Sequence, residues 1–301
     1  FALEVVAFAE EEGQRFPATF LGSSALTGHF QSAWLEQTDA QGVRLRDAMV
    51  QAGLDVSAIT SLRRDPTRYL GFVEVHIEQG PVLCAHHLPL GVVTAINASV
   101  RYLCEVVGTA SHAGTTPMNR RRDAAAAVAE LLLYVEERAR ADGDSVGTVG
   151  QLQVPQGSIN VVPGRCQFSL DLRAPNNTQR DALARDVMER LRTICERRGL
   201  QYTALEALRA SAAHSHPTWQ ARWERAVATT GLPVLHLPSG AGHDAMQLHT
   251  CMPQAMLFVR GENDGISHNP LESSTSDDID LAVQAFAHLL DDLALTPDPT
   301  P

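Results

Sequence analysis

Between residues 91 and 208 two hydrophobic periodicities alternate in a fixed order, and that order restricts the fold more than any other feature of the chain. Residues 91–96 and 101–108 have the composition of strands. Residues 123–140 are apolar around Val128, Leu131, Leu132 and Val135 at helical spacing, with charges gathered at the end. Strand-like stretches follow at 146–154 and 165–172. A second amphipathic helix is predicted from Thr178, with Asn177 or Thr178 as N-cap, Leu183, Val187, Leu191 and Ile194 on one face, and Gly199 at its close. Residues 201–208 complete the block. The order β-β-α-β-β-α-β predicts a compact, ferredoxin-like α+β unit with two helices on one face of a sheet.

The flanks have a different pattern. A helix is expected at 42–52, strands at 70–78, 234–237 and 255–259, and a helix at 277–295 with Ile279, Leu281, Ala282, Phe286, Leu289 and Leu290 apolar. These segments form an α/β domain built from residues 1–90 and 210–301, into which 91–209 are inserted; 301 residues suit two domains of about 150 each. Residues 3–8 (LEVVAF) read as a buried strand with no signal peptide, turn or cap leading into it, so the chain is expected to begin inside a domain. The tail, 296–301, is expected to be disordered.

Charge and cysteine usage remove several function classes. Lys plus Arg number 24 against 35 Asp plus Glu, a net charge of −11, the wrong sign for nucleic acid. The longest near-apolar run, 124–135, is broken by Glu130 and shorter than the roughly 20 residues of a membrane span. Five scattered cysteines without a C-x-x-C pair argue against a disulfide framework and for a reducing cytoplasm.

Five places carry side chains suited to chemistry. Glu10, Glu11 and Glu12 follow the first apolar stretch; three adjacent carboxylates are either a solvated acidic turn or a seat for a cation. The 21–28 stretch after them is rich in Gly, Ser and Thr but lacks the phosphate-loop spacing, and reads as a loop. In 70–78, alternation places Glu74, His76 and Glu78 on one face, which suits a metal or a polar edge strand. His112 lies in the small-residue loop SHAGTTPM, either open to a ligand or incidental to a turn. His243 and His268 each sit in a Gly-bearing loop, with Asp244 and Glu272 as plausible carboxylate partners.

Taken in order, AEEEGQRFPATFLGS, EVHIEQGPVL, SHAGTTPM followed by Arg121-Arg122-Asp123, SINVVPG, the Asp171-Leu172-Arg173 strand end, SGAGHDAM and GISHNPLE closely resemble the amidase branch of the M20 metallopeptidase superfamily. That branch comprises N-carbamoyl-L-amino acid hydrolases, β-ureidopropionases and allantoate amidohydrolases. The resemblance covers nearly the whole chain. It implies a zinc-peptidase-like α/β catalytic domain with a two-metal site, and an inserted lid that also dimerises.

By the family motif Glu11 is the general base and Glu12 a metal ligand, Gly13 fixing the register; His76 and His268 are the other ligands on this chain. Gln79 is implied as a substrate-positioning residue, His112 as an oxyanion donor, and Asn160 and Arg173 as the rest of a substrate clamp. His243 matches a recurrent motif and is assigned to the pocket wall. Two family ligands, the His of a Gly-Ser-His-x-Asp strand end and the bridging Asp of a Gly-Gly-x-x-Asp-Gly loop, have no counterpart, so the resemblance implies an N-terminally truncated chain whose own activity is doubtful. The implied cofactors are two divalent ions, zinc or manganese before cobalt or nickel. The implied substrate is a small anionic ureido compound, allantoate or an N-carbamoyl-L-amino acid, and EEEGQRFPATFLGSSALTG looks closest to the allantoate type. The implied partner is a second copy, as a homodimer. Two other readings stand beside this one: a non-catalytic dimerisation or binding module, and an aminoacylase or dipeptidase of the same superfamily.

Overall fold

The computed structural model describes residues 1–295; the expected disordered tail lies outside the described residues. In chain order the elements are α1 (Leu21–Thr27), α2 (Leu45–Gln51), β1 (Phe72–Ile77), α3 (Val82–His86), β2 (Leu90–Ile96), β3 (Ala98–Val107), β4 (Ser111–His112), α4 (Ala124–Asp142), β5 (Val146–Thr148), β6 (Leu152–Gln153), β7 (Val161–Val162), β8 (Arg165–Ala174), α5 (Asn177–Arg198), β9 (Gln201–Ala210), β10 (Ala213–His214), α6 (Pro217–Thr229), β11 (His236–Ser239), α7 (Ala245–Leu248), β12 (Gln254–Val259) and α8 (Ser276–Leu295). They divide into two units, Phe1–Ile96 with Ala213–Pro301, and Asn97–Ala212.

The first unit is built on a mixed sheet ordered β1-β12-β2-β10, with β11 also paired to β2. Strand β12 is buried at every residue, as a strand covered on both faces must be. Its alternate side chains enter two cores. Ala255, Leu257 and Val259 pack with Trp219 and Trp223 of α6 and Ala282 and Leu289 of α8. Met256 and Phe258 pack with Leu83, Ile96, Leu237 and Ala245 on the other side. A smaller cluster, including Phe16, Leu21, Leu35, Leu45 and Ile59, holds α1 and α2. Strand β2, grouped with the insert on sequence, pairs with β10, β11 and β12 and so belongs to this unit.

Two local expectations are corrected here, and one helix was not expected. Residues 3–8 form no strand, and Val5 is 93% exposed. Apolar composition alone does not make a strand; β1, the sheet edge, is laddered to β12 and not to this stretch. Residues 21–27 form helix α1 rather than a loop. Buried Ser23, Ser24 and Thr27 let it pack closely, and left-handed Gly28 closes it by donating to Ala25 O and Ser24 O. Helix α6 has no counterpart in the sequence expectations, although Trp219, Trp223, Ala226 and Val227 share its buried face.

The second unit carries an antiparallel sheet ordered β5-β8-β3-β9, with β6 on β8. Its core joins Val128, Leu131 and Val135 of α4 to Leu183, Val187, Leu191 and Ile194 of α5 over Val100, Val106, Phe168, Leu170 and Leu172. Asp123 caps α4 by accepting from Ala126 N, 3.0 Å. The cap of α5 is Asn176, one residue before the expected pair, accepting from Gln179 N at 2.9 Å. The expected strand at 146–154 is divided into β5 and β6.

A carboxylate and imidazole cluster in the first unit

The three glutamates of the acidic turn have three different surroundings. Glu10, at φ 55°, takes Arg15 N on Oε2 at 3.4 Å. Glu11 O accepts from Phe20 N at 3.0 Å, which docks the start of α1 against the turn. The Glu11 carboxyl is half-buried and pushed up to about 7, first by burial and then by the charges of Asp244 and Glu12. Glu12 Oε1 lies 3.2 Å from His268 Nε2, so residues 256 positions apart meet as the family motif implies.

Strand β1 supplies the next group. Glu74 Oε2 accepts from Ala245 N at 3.0 Å, and burial, then Asp244 and Glu11, raise this carboxyl to about 7. His76 Nδ1 is 2.8 Å from Ile77 O, a carbonyl to which it can only donate. Its ring stands 4.5 Å from that of His243, centroid to centroid. His243 is 1% exposed, and burial followed by the neighbouring His76 pushes it down to about 3, keeping it neutral. Asp244 is raised by burial and accepts a hydrogen bond from buried Ser23. Glu78, expected on the same face, instead turns to the start of α3, accepting from Val82 N at 2.7 Å and Leu83 N at 2.8 Å.

The charges acting on Glu11 and Glu74 are thus mainly other carboxylates, and the chain contains no lysine at all. Acceptor oxygens and imidazole nitrogens gathered this way are what a hard or borderline divalent cation requires. One ligand atom from each of Glu74, His76 and His243 lies within 4.8 Å of the others. The residues therefore fit a metal.

The loop bearing His268 is clasped to the end of β1. Gln79 Nε2 donates to Ser267 Oγ at 2.9 Å, Ser267 Oγ donates to Glu272 Oε2 at 2.6 Å, and the same oxygen accepts from His268 N at 3.1 Å. Gln79 and His268 both sit in the left-handed region, at φ 57° and 56°. Gly265 makes this approach possible: a Cβ there would lie 1.7 Å from Gly80 O.

In the second unit, His112 Nδ1 accepts from Gly114 N at 3.0 Å and Thr115 N at 3.2 Å, which leaves the proton on Nε2. Asn160 O accepts from Ala113 N at 2.9 Å, and His112 is paired with Val161, so these two sequence-predicted residues are neighbours. Arg121 ties the loop down by donating to Ala113 O and Thr116 O, at 2.6 and 3.1 Å. Arg173 is held edge-on by Asp171, at 2.8 Å from Nε and 2.7 Å from Nη2. Ser23, Ser239 and Ser267, which orient these groups, were outside the sequence reading; the signal for Ser239 is its place four residues before His243 in SGAGHD.

Fold and cluster together define an α/β protein with a His and carboxylate cluster drawn from the acidic turn, β1 and the loops after β11 and β12, and with an α+β insert between β2 and β10. The model of peptidase family M20/M25/M40 matches residues 1–292, and the chain belongs to that family. The N-carbamoyl-L-amino acid amidohydrolase of Geobacillus stearothermophilus is 41% identical over 97% of this chain and 71% of its own. Allantoate deiminase of Arabidopsis thaliana is 36% identical over 96% of this chain, which spans 60% of that relative. Among solved structures, an amidase of the hydantoinase/carbamoylase family from Burkholderia multivorans superposes with a TM-score of 0.88 at 30% identity, covering 96% of this chain and 69% of that one.

Proposed function

We propose that the protein is a metal-dependent amidohydrolase that cleaves the ureido C–N bond of allantoate or an N-carbamoyl-L-amino acid and releases ammonia. The observation that carries this reading is the 3.2 Å approach of Glu12 to His268 beside the half-buried Glu11, in a chain of this family. Glu12, His76 and His268 would hold metal, zinc or manganese before cobalt or nickel, with two ions in the active enzyme. A divalent cation supplies Lewis acidity, lowering the pKa of water and polarising a carbonyl.

The chain's own groups do the rest. Glu11, half-buried beside Glu12, takes the proton of the attacking water and returns it to the departing nitrogen. His112, its Nε2–H fixed by two backbone donors at Nδ1, donates to the developing oxyanion, and Asn160 assists it. Arg173, oriented by Asp171, receives the substrate carboxylate, and Gln79 and His243 line the pocket. Two copies pair through the inserted unit, a reading supported by β9, which is exposed along nearly its whole length at the sheet edge. All five cysteines are free thiols, which supports a cytoplasmic location.

Ammonia release from allantoate, N-carbamoyl-L-amino acids and N-carbamoyl-β-alanine, measured with metal present, tests the proposal. Release from one of these supports it. Turnover of dipeptides or N-acyl amino acids alone assigns an aminoacylase or dipeptidase, and no turnover of any of them by a form that also carries the two missing ligands leaves the binding-module reading.

A further inference from the structure

We propose that Arg121 is a positioning residue for the His112 imidazole and acts on it through the peptide between Ala113 and Gly114. The use made of the imidazole rests on the hydrolytic reading, while the contacts themselves lie wholly within the second unit. Half-buried Arg121 donates from Nη2 to Ala113 O at 2.6 Å and from Nε to Thr116 O at 3.1 Å. One planar fork thus spans the turn that carries His112, which the single ammonium of a lysine would not do. Thr116 N closes the same turn by donating to His112 O at 3.1 Å. Among the described residues no carboxylate stands within ion-pair distance of Arg121, so its charge is spent on these carbonyls.

The two carbonyls are not equivalent. Thr116 O belongs to the peptide before Pro117, which has no N–H, so the bond to it only holds the turn. Ala113 O belongs to the peptide whose N–H is that of Gly114, and Gly114 N donates to His112 Nδ1 at 3.0 Å. Guanidinium, carbonyl, amide and imidazole therefore form one chain of hydrogen bonds. A charged donor on the carbonyl oxygen draws electron density from the amide nitrogen, and hydrogen bonds in series strengthen one another. Gly114 N–H becomes the stronger donor to Nδ1, beside Thr115 N at 3.2 Å. A ring that accepts at Nδ1 keeps its proton on Nε2, and density drawn away at Nδ1 makes that Nε2–H the better donor. This is the atom the proposed function aims at the developing oxyanion. Gly114 serves the approach: a Cβ there would lie 3.3 Å from His112 Cε1 and 3.5 Å from Nδ1, crowding the ring.

The test reads the imidazole directly, in this chain, without metal or substrate. The chain is labelled with ¹⁵N-histidine, and His112 is assigned by the signal lost in His112→Gln. At a pH where histidines are neutral, the wild type is expected to show the Nε2–H tautomer alone. Arg121→Ala and Arg121→Gln should each bring in the Nδ1–H tautomer and speed hydrogen exchange at the Gly114 amide about tenfold, and millimolar guanidinium ion should reverse both changes in Arg121→Ala. Thermal melts of both variants report folding, and the glutamine variant serves if the alanine variant does not fold. A lowered melting temperature with the His112 signals unchanged makes Arg121 a structural tie only and overturns the proposal. In a form that also carries the two missing family ligands, Arg121→Gln should lower kcat about tenfold with KM nearly unchanged; a raised KM at unchanged kcat overturns it as well. Changed His112 signals in a protein whose wild type releases no ammonia would sink the hydrolytic reading and leave the contact chain standing.

Discussion

Glu11 and Glu74 show how one residue type takes different roles from different surroundings. Glu11 is half-buried beside Asp244 and Glu12, and Glu74 is deeper, tied to the start of α7. In a form of the protein that also carries the two missing family ligands, Glu11→Gln is expected to abolish ammonia release while leaving bound metal unchanged; retained turnover would place the proton transfer on another group. The raised carboxyls also set a pH dependence. Their folded-state pKa of about 7 exceeds the ordinary 4.5, so in metal-free protein the stability they contribute is full below about pH 4.5 and is lost as pH rises through 7. Thermal melts in chelator should therefore show Glu74→Gln gaining on the wild type between pH 5 and pH 8; a difference independent of pH would mean that Glu74 is not held protonated. His243 has the opposite sign: at about 3 it lies below the ordinary 6.5, so its contribution is present above 6.5 and is lost as pH falls toward 3. The nearness of Glu11 and Glu12 to His268 follows the motif order that the sequence shows. The approach of His243 to Glu74 was not legible there, because it depends on contacts between β1 and the loop after β11.

At the scale of elements, the strongly periodic segments needed no tertiary information. Helices α4 and α5 repeat their apolar residues at helical spacing and are capped by Asp123 and Asn176. Asp123→Ala should cost about 1 kcal/mol in urea unfolding, since Ala126 N then loses its acceptor at the helix start. Helix α1 and residues 3–8 went the other way. A run of Gly, Ser and Thr became a helix because its Leu21 and Ala25 share a core with Phe16 and Ile59, and LEVVAF made no strand. The clasp of the His268 loop is equally tertiary. Gly265 combines φ +67° with contact to Gly80 O, so Gly265→Ala should destabilise by about 2 kcal/mol or more and loosen His268 against Glu12. An unchanged unfolding midpoint would show that the loop yields without cost.

At the scale of the whole molecule, the acidic balance of 24 basic to 35 acidic residues is carried entirely by arginine on the positive side, suited to paired contacts such as Arg260 with Asp278, both bonds at 2.9 Å. The described helices include none long and apolar enough to cross a membrane. Light scattering at micromolar concentration is expected to give a dimer, and Leu205→Arg, at a 67% exposed position of β9, to shift it toward monomer; a wild-type monomer at all concentrations would remove the dimer from the proposed function. The sequence by itself determined the alternation of sheet and helix and the α+β insert, because periodicity is a local property, and the resemblance of its motifs to the family marked the candidate site residues. Only the tertiary structure decided that β2 belongs with the first unit, that Glu78 caps α3 rather than joining the cluster, and that Glu74 and His243 come within 3.9 Å of each other. Those outcomes depend on contacts between residues far apart in the chain, such as the 171 positions from Glu74 to Ala245, and no local pattern encodes them.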